Sequence, residues 1–379
     1  LVHSQTSKID SYFLLHVNNG GEAKLVSRRF KEEEESYQVL SWFPLEDYNK
    51  EFKIYLYFFI KAALAGRDIF ENCLKLLELQ GFQCSHLLKR NDIMDSSKKE
   101  YFSLIFVEAF DLCSFLVAEK VGKPFVSILP TTCGNMAFGL PTPCLMCQYY
   151  QIHSTFGNII REHFPKGSRP VLSHHLEKAE LWFLNSDFPF DFAWPLLPNT
   201  GCFRSLMAKP VKAVPQGSKT LNFIAKSGDS DFVLVALGSM VSISQSQELL
   251  MEMNVLWLIS LGVIWRCKPS HWPKDIKLAA NVKTVDWLSQ GDLLAHPHIH
   301  LFVIRGRVNS IMEAIQHGVP MVRISFFGDQ PENQFQVEAK KFGVSIQLKQ
   351  IKAETLSLKM KQVIEDKRYV ALWACGHIG

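Results

Sequence analysis

The stretch from Trp287 to Gln330, WLSQGDLLAHPHIHLFVIRGRVNSIMEAIQHGVPMVRISFFGDQ, constrains the fold more than any other part of the chain. Leu301-Phe302-Val303-Ile304 is an uninterrupted apolar run between polar residues, the form of a strand covered on both faces in a parallel sheet. Gly306 ends it. Asn309 and Ser310 are helix-capping types, and Ile311, Met312, Ala314 and Ile315 fall on one helical stripe, so a helix is expected where the strand stops. His317-Gly318-Val319-Pro320 closes that helix, and Met321 to Ile324 resumes a strand. The product is a βαβ unit. The free N–H groups and positive dipole end of its helix lie where open α/β sheets bind anions.

The same alternation runs through the rest of the chain. Before it, Tyr37 to Trp42, Leu104 to Phe110, Pro124 to Leu129 and Leu181 to Ser186 read as strands, Cys113 to Lys120 as a helix, and residues 49 to 80 as helical. Pro, Gly and basic residues gather around Pro195 to Gln216, a linker composition. A second set of strands follows at Phe232 to Leu237, Val263 to Arg266, Val282 to Val285, Leu301 to Ile304, Met321 to Ile324 and Val344 to Leu348. The expected organisation is a first domain over 1–205, a linker over 206–230, a second domain over 231–370 and a divergent tail over 371–379. A length of 379 residues suits two domains, and 47% hydrophobic with 21% charged residues gives each an ample core.

Charge and targeting signals narrow the classes. A net charge of +4 with no long Lys/Arg tract argues against a nucleic-acid partner, and Glu32 to Glu35 reads as a solvated face. The opening LVHSQTSKID lacks a basic region leading into an apolar one, so no signal peptide is visible. No apolar run approaches the roughly 20 residues that span a bilayer. Ile54 to Gly66 is short and broken by Lys61.

The nine cysteines are odd in number and their spacings suggest no disulfide framework, which points to scattered, partly buried thiols. Cys144-Leu-Met-Cys147 is a lone CxxC, weak evidence for zinc or redox chemistry. His296, His298 and His300 alternate and would share one face of a strand, but a metal site needs a shaped set of ligands around them.

The Trp287 to Gln330 segment resembles the signature of the UDP-glycosyltransferases. There, Trp-Leu-Pro-Gln-x-Asp-Leu-Leu-x-His leads into Thr-His-Gly-Gly, Asn-Ser, a Glu three residues on, His-Gly-Val-Pro and Asp-Gln. Trp287, Gln290, Asp292, His296, Gly306, Asn309, Ser310, Glu313, Gly318, Pro320, Asp329 and Gln330 all match. Further stretches, among them RNDIMDSS, GKPFVSIL, EHFPKGSRPVLSH, SHWPKD and EAKKFGVSIQLK, are similar to the family 3 branch. Together they cover most of residues 30 to 370.

This resemblance implies an α/β protein of two Rossmann-like domains facing across a cleft, the glycosyltransferase-B arrangement. Its carboxyl-terminal domain would hold a UDP-sugar donor. Trp287 would stack on uracil, Gln290 would contact the base, Glu313 would take the ribose hydroxyls, and Ser239 would reach a phosphate. Asn309 and Ser310, beside Arg305 and Gly306, would hold the diphosphate. Asp329 and Gln330 would hold sugar hydroxyls, with Phe327 favouring a hexose or pentose without an acetamido group. Singly, each is as readily a core tryptophan, a helix cap or a surface residue; the joint spacing favours the site. Arg305 and Arg307 replace the His and the second Gly of Thr-His-Gly-Gly, Arg323 replaces a Gly, Ser325 and Ser289 replace prolines, and Arg204-Ser205 stands for a Gly-Gly. Bulk at these positions predicts a weakened donor pocket.

By the same resemblance, the acceptor is a small lipophilic hydroxyl compound, deprotonated by a His at the start of the first helix while UDP departs with inversion, without cofactor or metal. The matching stretch Asp10 to Leu15 puts Tyr12 at that position, and a phenol of reference pKa about 10 is a poor base. His16 is a substitute one turn on. The assisting carboxylate falls on Glu108, with Asp111 as fallback. The resemblance implies a luminal protein of the endoplasmic reticulum membrane, able to associate with copies of itself or with related transferases. The stretch after Pro143 looks shortened, and Val370 to Gly379 does not resemble the helix that the family carries after Tyr369. Two readings follow: an active UDP-glycosyltransferase, or a non-catalytic member of the same fold.

Overall fold

A computed structural model describes residues 12–15, 46–65, 70–99, 104–109, 112–129, 143–172, 175–186, 190–191, 196, 198–202, 211, 222–224, 231–237, 261–267, 272, 277–326, 330–366 and 368–371. They fall into two compact units. Unit 1 takes Leu1–Ala62, Arg67–Leu184 and Leu196–Gly201, and unit 2 takes Ala63–Gly66, Asn185–Pro195 and Cys202–Gly379. Asn185–Pro195, read from sequence as part of the first domain, therefore belongs with the second. The reason is packing: Phe190 is fully buried in a cluster with Phe232, Leu234 and Phe302 of the second sheet.

Unit 1 is a five-stranded sheet in the order β1-β2-β3-β4-β5, formed by Tyr12–Leu15, Leu104–Glu108, Phe125–Leu129, Leu181–Leu184 and Thr200–Cys202. The first four pair in parallel. Its helices are α1 (Glu46–Leu64), α2 (Phe70–Lys89), α3 (Asn91–Lys99), α4 (Leu112–Val121), α5 (Pro143–His163) and α6 (His175–Lys178). Helix α4 is the crossover between β2 and β3, and Phe115 and Phe125 meet edge to face. Gly81 lets α2 approach α5 closely, since an added Cβ would stand 2.3 Å from Thr155 Cγ2.

Two expectations for this half change. Tyr12 opens a strand and not a helix, because the apolar run Tyr12–Leu15 pairs with Leu104 to Val107 of β2. Cys84 and Cys113 are not scattered thiols. They form a buried disulfide with 5.4 Å between α-carbons, because α2 and α4 bring together positions 29 residues apart. Closing a loop of that length destabilises the unfolded chain by about 3.6 kcal/mol. A Cys84→Ser, Cys113→Ser chain is thus expected to melt well below the parent, and reductant should lower the parent's melting temperature towards it while leaving the double variant unmoved.

Unit 2 is a six-stranded parallel sheet built from β6 (Phe232–Ala236), β7 (Gly262–Arg266), β8 (Val282–Val285), β9 (Ile299–Ile304), β10 (Met321–Ser325) and β11 (Gly343–Gln347). Its order, β11-β10-β9-β6-β7-β8, is that of a doubly wound nucleotide-binding sheet, with the reversal between β6 and β9. Alternate residues enter opposite cores: Val233 and Val235 one, Phe232, Leu234 and Ala236 the other. The helices are α7 (Gln290–Leu294), α8 (Val308–Gln316), α9 (Gln330–Ala339), α10 (Ala353–Glu365) and α11 (Arg368–Ala371).

The histidine trio does not share a strand face, since only His300 lies within β9. His298 and His300 instead flank the Asp231 carboxylate, at 3.2 and 2.9 Å, at the amino-terminal ends of β6 and β9. No helix among the described residues is long and apolar enough to cross a membrane. Tyr37 to Trp42, most of the 206–230 linker and the tail from 372 lie outside the described residues.

Candidate functional site

The reversal of strand order puts a crevice outside the carboxyl ends of β6 and β9. At the end of β9, Gly306 adopts φ +96° and turns the chain abruptly into α8. Arg307 is the N-cap, with extended backbone (φ −71°, ψ 143°), and its carbonyl accepts the first helical bond from the Ile311 N–H at 3.1 Å. Asn309 and Ser310 are therefore not the cap, as their residue types suggested, but first-turn residues. This matters chemically. The N–H groups of a helix's first turn have no partner within the helix, and they point with the positive dipole end at whatever lies ahead of it. At the other end, Gly318 (φ +67°) donates to Ile315 O and Val319 to Ala314 O, a Schellman closure that fixes the helix length.

One side of this helix carries a graded set of side chains. Gln290, first residue of α7, donates from Nε2 to Glu313 Oε2 at 2.6 Å and to Ser310 Oγ at 3.3 Å. Burying the Glu313 carboxylate costs stability unless it accepts hydrogen bonds, and the Gln290 amide supplies one. Just before Gln290, Trp287 is 49% exposed, a large apolar face left open to solvent. The Arg266 guanidinium, from the end of β7, lies over its ring at 4.8 Å and holds the indole in place. A flat aromatic surface, an amide and a carboxylate thus lead to a helix amino terminus. A nucleotide presents the complementary series of base, diol and phosphate.

Around Gly306 the structure revises the expected effect of the arginine substitutions. Arg323 does not crowd the crevice, because it is fully buried within the fold. Its Nη2 donates to Gln330 O at 2.6 Å and to Gly306 O at 3.4 Å, and Asn333 Nδ2 donates to Gly306 O at 3.1 Å. Arg305 is also buried, while Arg307 is exposed at the mouth of the helix. Gln330 is 1% exposed, and its Oε1 accepts the Phe326 N–H at 2.8 Å.

Asn185 was missed in the sequence. Its side-chain amide donates to Asn309 Oδ1, which orients the Asn309 amide at the helix start. The signal available was slight: a polar Asn-Ser pair directly after the apolar run of β4. Arg266 was missed as well, having been read only as a strand end. Ser239, Phe327, Asp329, Asp111 and His16 lie outside the described residues.

In unit 1, Glu108 ends β2 and lines a small cavity with Val107, Ala109, Leu112, Phe115, Phe125 and Ser127. Tyr12 is not brought to it. The parallel register pairs Tyr12 with Leu104, so the two residues are separated along the strands by about 13 Å at roughly 3.3 Å per residue.

Residues 145–372 match the family model "UDP-glucoronosyl and UDP-glucosyl transferase". Human UDP-glucuronosyltransferase 3A2 is 58% identical over 371 residues, covering 90% of this chain and 70% of that protein. The 3A1 enzyme of Bos taurus is 58% identical over 369 residues, with the same coverage. Among solved structures, the calicheamicin glycosyltransferase CalG4 superposes with TM-score 0.59 at 15% identity, over 80% of this chain and 75% of its own. Os79 of O. sativa, solved with UDP, gives 0.55 at 16%, over 83% and 80%. These structures share the glycosyltransferase-B fold. With its doubly wound sheet, its match to the family model and its family-3A relatives, the chain belongs to the UDP-glycosyltransferase family, in its family 3 branch.

Proposed function

We propose that this chain transfers a hexosyl group from a UDP-sugar to a hydroxyl of a small lipophilic acceptor, inverting the anomeric carbon, without metal or cofactor. The observation that carries the reading is the Trp287, Gln290 and Glu313 series leading to the amino terminus of α8. The acceptor oxygen bonds to the anomeric carbon as that carbon's bond to the diphosphate breaks, and a general base takes the acceptor proton. UDP leaves with an added negative charge, which the α8 terminus and the Arg305 and Arg307 guanidinium groups would stabilise. Calorimetric titration with UDP tests the reading, since ligand at 100 times its dissociation constant stabilises the native state by about 2.7 kcal/mol. Turnover with UDP-glucose exceeding that with UDP-N-acetylglucosamine would support the part assigned to Phe327.

The Cys84–Cys113 disulfide supports a luminal location, because such bonds persist in oxidising compartments. Assembly with itself or related transferases belongs to the same proposal.

A second reading, a nucleotide-binding protein without turnover, draws support from Tyr12. Its strand register sets it beside Leu104 and away from Glu108. Tyr12→His is expected to leave UDP release unchanged in the presence of donor and acceptor. A gain of about a hundredfold, the usual contribution of a general base, would instead show that position 12 reaches the acceptor and that the base alone was missing.

A further inference from the structure

Arg323 is the middle residue of β10, a strand otherwise buried among aliphatic side chains, and it is 0% exposed. Such a position carries a cost, since a guanidinium must be desolvated to occupy it. What it contacts explains why an arginine can stand there. Nη2 donates to Gln330 O at 2.6 Å and to Gly306 O at 3.4 Å, joining the turn after β9 to the first residue of α9. The guanidinium fills the space where a side chain on Gly306 would begin: a Cβ there would lie 2.2 Å from Nη2, 2.5 Å from Nε and 2.7 Å from Cζ. A permanent positive charge therefore sits directly behind the turn that opens the anion-binding helix.

We propose that Arg323 is a positioning residue for the donor diphosphate, holding the Gly306 turn against α9 and adding a buried charge behind it. This rests on the UDP-sugar reading of the site. Its effect falls first on the phosphates, because Trp287 and Gln290 lie on other segments and Glu313 stands more than a turn into α8, away from the Gly306 turn. Buried charge is screened weakly by salt, so the preference for UDP over uridine persists at high ionic strength, unlike one built on the exposed Arg307.

The test is calorimetric titration of the full chain with UDP and with uridine, at low and high salt, for the wild type, Arg323→Met, Arg323→Lys and Arg307→Ala. Arg323→Met is expected to weaken UDP by at least about tenfold while moving uridine by less than about threefold. Arg323→Lys, which keeps the charge but loses the fork, should restore most of the UDP preference. Equal losses of UDP and uridine in Arg323→Met, or an unaltered UDP preference, would overturn the proposal. Arg307→Ala keeps the interior intact and decides the matter even if Arg323→Met fails to fold. A salt-resistant UDP preference in that variant, kept when the other buried arginine is removed as well by Arg305→Met, supports the Arg323 charge; loss of the preference in either step assigns it to Arg307 or to Arg305 and overturns the proposal. A wild type that binds neither ligand would overturn the nucleotide reading itself, a result distinct from all of these.

Discussion

Gly306→Ala is expected to abolish UDP binding and to lower the unfolding free energy by about 3 kcal/mol, from two separable causes. The first is conformational. Gly306 sits at φ +96°, where a β-carbon meets the backbone and an L-residue pays about 1–2 kcal/mol. The second is steric. The new methyl would lie 2.2 Å from Arg323 Nη2, and that guanidinium has nowhere to go, being fully buried and bonded to Gln330 O. Overpacking of this kind costs about 1–3 kcal/mol. Either the turn shifts, which moves the start of α8, or the arginine does, which releases α9. Both disturb the start of α8, where the UDP diphosphate is proposed to bind. Urea unfolding and UDP titration of the variant measure the two effects, and a double-mutant cycle with Arg323→Gly separates the causes. Removing the guanidinium should return the steric share and leave the conformational share. Additive losses would mean that the methyl and the guanidinium never meet.

The cycle also marks where sequence reasoning stops. Leu301 to Ile304 and Phe232 to Ala236 were legible because a parallel strand buried on both faces must be apolar throughout. The end of α8 was legible because Gly318 is needed for a left-handed closure. Its beginning was misread, since capping preference is a property of residue type, whereas the observed start at Arg307 is set by the backbone turn at Gly306. Arg323 shows the same limit more strongly. As a letter it adds bulk beside a phosphate site; in the fold it points inward, and only the packing of β10 against the Gly306 turn reveals it. The Cys84–Cys113 bond likewise depends on how α2 meets α4, which no local spacing encodes. Tyr12 was placed by motif alignment alone, and its strand register, a property of the partner strand β2, pairs it with Leu104. Gln290 and Glu313, paired in the sequence only by motif, do meet in the fold, with the Gln290 amide on the Glu313 carboxylate.

Glu313→Ala is expected to weaken UDP by about 300-fold, the loss of two charge-assisted hydrogen bonds to the ribose diol at about 1.5–2 kcal/mol each. The carboxylate is well placed for that task. It is largely buried on α8 beside Ser310, and the Gln290 amide at 2.6 Å fixes one of its oxygens, so little ordering remains when ligand arrives. Fold stability should change far less than affinity, because removing a buried carboxylate also removes its desolvation cost and Gln290 keeps Ser310 Oγ at 3.3 Å. The decisive comparison uses 2′,3′-dideoxy-UDP. Wild type should bind it as poorly as the variant binds UDP, and the variant should bind both alike, since the acceptor of the missing hydroxyls is gone from the protein. Glu313→Gln, with one acceptor oxygen and no charge, should fall between. A variant that still prefers UDP over its dideoxy form would mean that another group reads the ribose. The Trp287 and Gln290 series would then lead past the nucleotide and not along it.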